Sequence, residues 1–262
     1  MSWVFSPEEL QAVIMLFEYY ADKYAMMFCF PKTLINCYRK KEDIDRIRKS
    51  KNIKIAGCEP NFPKEAVHLG LIQCQDNKRT EIVNVRARIK KVTTKLLTMF
   101  GYRFTTKLPK SLSLNKSIWN TYIKPTLLTG LNALVVKDEA LKELTKFEHT
   151  LMRRMFKVRK KASVIPLYDI SGFKPIEASI HKQMFSLFYN FWLNPQTPSS
   201  KVVKLLLENP NKYQGNYWST HLWQLCGKYD IPDPLLKEKI LKKESWKNYT
   251  SNKITRYHHE QN

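Results

Sequence analysis

Cations are the residues best placed to do chemistry in this chain. Lys and Arg number 45 against 23 Asp and Glu, a formal net charge of +22 over 262 residues. An excess of this size implies a polyanionic partner, nucleic acid before an anionic membrane surface. Between Asn77 and Lys124 there are twelve Lys and Arg and one acid, Glu81, so +11 falls within 48 residues. A solvated helix face usually carries acids as i,i+4 partners of its cations. Here they are nearly missing, which favours contact with phosphates. The candidate nucleic-acid-binding residues are Arg86, Arg88, Lys90, Lys91, Lys95, Arg103, Lys107 and Lys110, followed by Arg153, Arg154 and Lys157 in the run R-R-M-F-K-V-R-K-K.

Acid–base and metal chemistry has less to draw on. Two-metal catalysis needs clustered carboxylates, and at Tyr20-Ala21-Asp22-Lys23 the residue after Asp22 is a lysine. Helical spacing around it makes Asp22 a solvated helix residue. His68 stands alone in an apolar run, the usual setting of a structural histidine. The cysteines, Cys29, Cys37, Cys58, Cys74 and Cys226, are odd in number, and none has C-x-x-C spacing. Neither a disulfide framework nor a metal site is supported, and a reducing, intracellular compartment, nuclear or cytoplasmic, is expected. The first residues lack the basic start and cleavage site of a signal peptide, and no apolar run reaches membrane-spanning length.

The elements that must position these cations are mostly helices. Ser6-Pro7-Glu8-Glu9 reads as a capped start, and Leu10, Val13, Ile14, Phe17, Ala21 and Tyr24 predict an amphipathic helix from 7 to about 28. Lys32–Tyr38, Ile53–Gly57 and Ala66–Cys74 read as short strands of a small sheet packed under that helix. Ile82, Val85, Ile89, Val92, Leu96 and Met99 form a helical seam, with Arg88, Lys91 and Lys95 as an outward row on another side.

From Ile118 to Val136 only Lys124 is charged, and Trp119, Tyr122, Leu127, Leu128, Leu131 and Leu134 are expected to pack while Pro125 kinks or breaks a helix. A strong amphipathic helix begins at Glu139, with Leu141, Leu144, Phe147, Leu151, Met155 and Val158 on one face, and its basic end suits the helix dipole. Ile176 to Phe191 predicts a buried aromatic helix. The linker Asn194–Ser200 follows, then a small helical appendage. The predicted class is α+β, mostly helical: a small antiparallel sheet remnant with one helix, followed by a basic helical bundle.

The order of motifs resembles the distal part of a non-LTR (LINE-type) retrotransposon reverse transcriptase. Y-I-K-P-T-L-L-T-G-L at Tyr122 to Leu131 resembles the family's signature after the palm, with Tyr122, Pro125 and Gly130 as its structural residues. H-L-G-L at His68 to Leu71 resembles the hairpin beside the primer terminus, making His68, Leu69 and Gly70 primer-grip-like. P-K-T-L-I at Pro31, L-Y-D-I-S-G-F-K-P-I-E-A-S-I at Leu167 and K-Y-D-I-P-D-P at Lys228 are similar to further family segments. The Y-A-D-K at Tyr20 is similar to the Y-A-D-D of polymerase palms but has Lys23 in place of the second Asp.

The resemblance implies a palm end over 1–75, a basic thumb-like region over 76–162 and a helical C-terminal extension over 163–262. It implies RNA or RNA/DNA duplex as partner, and Mg2+ for the family's full-length enzyme but no cofactor for this chain alone. The family's catalytic aspartates precede the region matched, so no catalytic residue is expected here. Two other readings stay open: part of an active RNA-directed DNA polymerase completed by an upstream or separately supplied palm, and a basic helical protein-interaction domain.

Overall fold

Proline, capping residues and a period of three to four apolar positions recur along the chain, and helices follow from them. A computed structural model of the protein describes residues 7–26, 53–55, 57–58, 63–68, 70–74, 77–101, 111–136, 138–208, 217–232 and 243–260. It is α+β and mostly helical, with one two-stranded antiparallel sheet among the described residues. No helix among the described residues is long and apolar enough to cross a membrane. The chain divides into two compact units, 1–80 and 81–262.

In the first unit, helix α1 (Pro7–Lys23) lays Ile14 against Ile53 and Ile55, with Leu10 beside them. The Gln11 amide holds the same segment, accepting the Lys54 N–H at 3.1 Å and donating to the Lys54 carbonyl at 3.5 Å. The helix stops before 28 because the chain turns at Ala25, which has φ 51°. The expected seam is buried only at Ile14 and Ala21, while Phe17 and Tyr24 are exposed.

The β-like run Ala66–Cys74 is a hairpin of two strands. Strand β1 (Glu65–His68) pairs with β2 (Leu71–Cys74), placing His68 opposite Leu71. Gly70, at φ 78°, takes the left-handed turn position that a residue with a Cβ enters only at a cost. In the run expected at Ile53–Gly57, Ile55 and Cys58 close a tight bridge through two 2.9 Å backbone bonds. The expected strand at Lys32–Tyr38 and the cap at Ser6 lie outside the described residues.

The second unit holds the main core. Helix α2 (Asn77–Phe100) enters it with Val85, Val92 and Leu96 fully buried, as its spacing predicts, although Met99 at its end is exposed. Helix α3 (Leu112–Ile118), capped by the Ser111 hydroxyl, runs into α4 (Lys124–Leu128) through a π-helical turn, Trp119–Ile123. Pro125 therefore neither breaks the helix nor forces a sharp stop. The wider turn, closed by the Lys124 N–H on the Trp119 carbonyl, accommodates the proline ring and its missing donor. Tyr122 is a correction: it is 45% exposed, whereas Trp119, Ile123, Leu127 and Leu131 fill the core. Gly130, at φ 77°, ends α4 and leads into a 3-10 turn, Leu131–Ala133.

Helix α5 (Asp138–Met155) buries Leu144, Leu151, Met152 and Met155, and Val158 falls beyond its end. Then come α6 (Ile165–Ser171), α7 (Ile176–Leu193), α8 (Pro198–Glu208), α9 (Tyr217–Lys228) and α10 (Lys243–Glu260). Buried residues of α5 share one core with Ile180, Met184 and Phe185 of α7 and Ile254 of α10. The boundary expected near 163 therefore does not divide the core, and the C-terminal helices are part of the bundle rather than an appendage. Their aromatic residues explain the difference. Trp246 stacks on Tyr189 at 5.9 Å and donates its indole N–H to the Phe185 carbonyl, and the Trp218 indole donates to the Asn132 carbonyl.

Candidate nucleic-acid interface

Helix α5 separates its two faces cleanly: an apolar stripe points into the core, and Lys142 and Lys146, one turn apart, remain exposed. After Met155 the chain leaves the helix, with Lys157 in the left-handed region at φ 55°. The Arg153 guanidinium then donates from Nε to the Ala162 carbonyl at 2.8 Å, tying the far end of the loop to the helix. Lys157, Arg159, Lys160 and Lys161 are exposed on this fastened loop. An open groove results, along which Lys142, Lys146, Arg153 and Lys160 meet only one acid, Asp138. His149 also lines it, and burial first, then the neighbouring Arg153 charge, holds its imidazole below the usual value.

The predicted cations of α2 separate into different roles. Lys90 and Lys91 are exposed. Arg88 is not part of an outward row: it is only 7% exposed, its long apolar stem and guanidinium taken into the bundle. Lys95 reaches across to α4, donating to the Thr126 hydroxyl at 2.8 Å, and that hydroxyl donates in turn to the Tyr122 carbonyl at 2.7 Å. Arg86 is committed to α5, with 2.6 and 3.0 Å bonds to the Glu143 carboxylate and a longer one, 3.4 Å, to Glu139. The Arg86 bond holds the Glu143 carboxyl below the usual range. These acids, from a distant part of the sequence, are the partners that α2 lacks locally.

Arg154 and Lys157 lie exposed at the end of α5, whereas Arg103, Lys107, Lys110 and Leu69 lie outside the described residues. His68 is exposed on β1 rather than buried as a structural histidine, and Gly70 makes the adjoining turn. Of the signature residues, Pro125 follows the π-helical turn and Gly130 makes the left-handed stop.

Sequence reading did not reveal two polar clusters in the core. In the first, Glu148 of α5, only 1% exposed, accepts the Ile176 N–H at 3.1 Å and bonds the Tyr168 hydroxyl. In the second, the Tyr229 hydroxyl lies 2.6 Å from His181 Nδ1 and 3.2 Å from His258 Nε2, while Lys228 pairs with Glu177 at 2.7 Å. Burial first, and then the Lys228 charge, pushes the His181 imidazole down to about 3, so it is neutral at pH 7. Donor atoms of Glu177, His181 and His258 lie within 4.8 Å of one another, the spacing of a metal's ligands. Lys228 already neutralises Glu177, and the Tyr229 hydroxyl already joins the imidazoles, so the cluster satisfies itself as a hydrogen-bond network. Only the i,i+4 spacing of Glu177 and His181 hints at it in the sequence.

The groove beside α5 thus gathers Lys142, Lys146, Arg153 and Lys160 against one carboxylate. Comparison with known proteins adds no family to this geometry: no family model, no curated protein and no solved structure matches the chain.

Proposed function

We propose that this chain binds RNA or RNA/DNA duplex through the cationic groove of α5, as a protein resembling the distal part of a non-LTR reverse transcriptase and without polymerase activity of its own. The observation that carries the reading is the groove itself, where four cations face a single carboxylate. Lys142 and Lys146 stand one helical turn, about 6 Å, apart, and Lys160 is brought to the same groove by the Arg153–Ala162 tie. Such a row recognises a phosphate backbone by charge, with little preference for base sequence. The non-catalytic part rests on the sequence: a two-metal centre needs clustered carboxylates, and Lys23 follows Asp22 where a second would stand.

Duplex affinity measured against salt tests this. The wild type should show a steep linear fall of log affinity with log salt, and a Lys142→Gln, Lys146→Gln double variant should lower the slope by about two, roughly one per lost phosphate contact. Absence of binding at low salt, or an unchanged slope in the double variant, would sink the proposal. Primer extension by the chain alone with Mg2+ or Mn2+ should give no incorporation, and incorporation would overturn the non-catalytic part.

A further inference from the structure

Away from the groove, two lysines of the second unit converge on α10 and a third lies near enough to act on them. Lys174, in the turn before α7, donates to the Thr255 hydroxyl at 2.9 Å. Lys182, two turns into α7, reaches the same hydroxyl at 3.5 Å and also donates to the Ser251 hydroxyl. Lys124, at the start of α4, is near enough for its charge to act on both Lys174 and Lys182. All three are half-buried, so each has lost part of its hydration while remaining reachable from solvent.

We propose that Lys124, Lys174 and Lys182, with the hydroxyls of Ser251 and Thr255, form a receptor for a phosphate group. Among the described residues no carboxylate lies within ion-pair distance of any of the three. Glu148 acts on Lys124 through its charge, yet burial holds much of that carboxyl in its neutral form near pH 7. His258, on the same helix as Ser251 and Thr255, feels Lys182 as a repulsion. Three cations brought together without a counter-ion cost folding energy through desolvation and mutual repulsion.

A bound oxyanion relieves both costs. It also matches the donors: an ammonium has three N–H groups, and protein acceptors take one from Lys174 and two from Lys182. Burial, reinforced by Lys174 and Lys124, pushes the Lys182 ammonium down to about 7, a value that a bound dianion reverses. Phosphate rather than carboxylate is favoured because its tetrahedral oxygens can meet ammonium groups arriving from several directions, whereas a flat carboxylate suits a fork such as that of Arg.

The proposal is separate from duplex binding in the α5 groove and has its own test. Inorganic phosphate is titrated into the full-length chain at constant ionic strength, with chloride as the control anion. Phosphate should raise the melting temperature of the wild type. Lys174→Gln and Lys182→Gln should each weaken phosphate about tenfold, the loss of one charge-assisted contact. Lys201→Gln, at an exposed lysine of α8 outside both sites, should leave it unchanged. A second readout needs no variant: phosphate should slow acetylation of Lys182 relative to the exposed Lys201 in the wild type. A short 5′-phosphorylated RNA and its unphosphorylated counterpart identify the source, since a terminal phosphate in this site protects Lys182 only in the former. Equal effects of phosphate and chloride on melting and acetylation, or undiminished phosphate binding in both site variants, would overturn the proposal.

Discussion

The Glu148 carboxylate on α5 accepts the backbone N–H of Ile176 at 3.1 Å, so helix α7 takes its N-terminal cap from another helix. Pro175, at the cap position, makes no side-chain bond of its own. The bond satisfies one donor that a helix start leaves open and places an acidic group at the positive end of the α7 dipole. Because Ile176 and Glu148 are both buried, the bond also fixes how the aromatic helix sits against α5.

That placement makes stability depend on pH. Burial pushes the Glu148 carboxyl from 4.5 up to about 7, although the Ile176 N–H and the Tyr168 hydroxyl pull the other way. The folded chain therefore holds a proton that the unfolded chain has released between those limits. The contribution is full below the lower limit and is lost as pH rises to the upper one, a change on the order of 3 kcal/mol. Glu148→Gln keeps an acceptor for Ile176 and removes the titration. Urea midpoints from pH 5 to 8 should fall for the wild type relative to this variant, and parallel profiles would refute the assignment.

His181 acts in the opposite direction. Its folded-state value, pushed from 6.5 down to about 3, makes the unfolded chain the better proton binder between those limits. Its contribution is present above about pH 6.5 and is lost as pH falls toward 3. Imidazole nitrogen shifts measured by NMR should show His181 neutral at pH 5, hydrogen-bonded to Tyr229. A protonated ring at that pH would show that the buried network is open to water.

The core seam of α5 was legible from its spacing, since Leu144, Leu151 and Met155 recur on one face and are buried as expected. Residue patterning alone did not mark the hairpin turn at Gly70, because Ala66–Cys74 is mostly apolar and carries no turn dipeptide. The role of Arg88 was hidden for another reason: it lies on the buried face of α2 with Val85, Val92 and Leu96, and periodicity assigns a charged residue to solvent unless tertiary packing overrides it. The groove was half legible. The cations after Arg153 are adjacent in sequence, but the turn at Lys157 and the Arg153–Ala162 bond that arrange them are tertiary. Lys124, Lys174 and Lys182 stand far apart in the sequence, and only tertiary packing brings them together.

Trp119 should be the costliest single side chain to remove from the π-helical turn. It is 1% exposed and stacks on Phe173 at 5.2 Å with 18° between the rings. Trp119→Ala should cost about 3–5 kcal/mol, read as a lowered denaturant midpoint at unchanged slope. A loss below about 1 kcal/mol would mean that the turn repacks around the cavity.

Arg86 and Glu143 provide the contrast. Their bonds are short, yet the arginine side chain is 57% exposed and the carboxylate 33%. An exposed pair contributes little because water screens it and two long side chains lose freedom. A double-mutant cycle with Arg86→Ala and Glu143→Ala should give a coupling close to zero. Duplex affinity should change less in Arg86→Ala than in Lys142→Ala, because the Arg86 guanidinium is already held by protein carboxylates.

Lys182 completes the pH profile on the alkaline side. Burial lowers its folded-state value from 10.5 to about 7, so between those limits the unfolded chain binds the proton that the folded chain has released. Stability should therefore rise with pH across that window, opposite to the usual loss when an ion-paired lysine deprotonates. Thermal melting from pH 7 to 10 should show the rise in the wild type and a flatter profile in Lys182→Gln. Saturating phosphate should flatten the wild-type profile as well, since an anion beside the ammonium returns its value toward that of a solvated lysine. A wild-type profile that falls across this window would show that Lys182 is charged in the fold, and the repulsion among the three lysines would then be relieved by some other group.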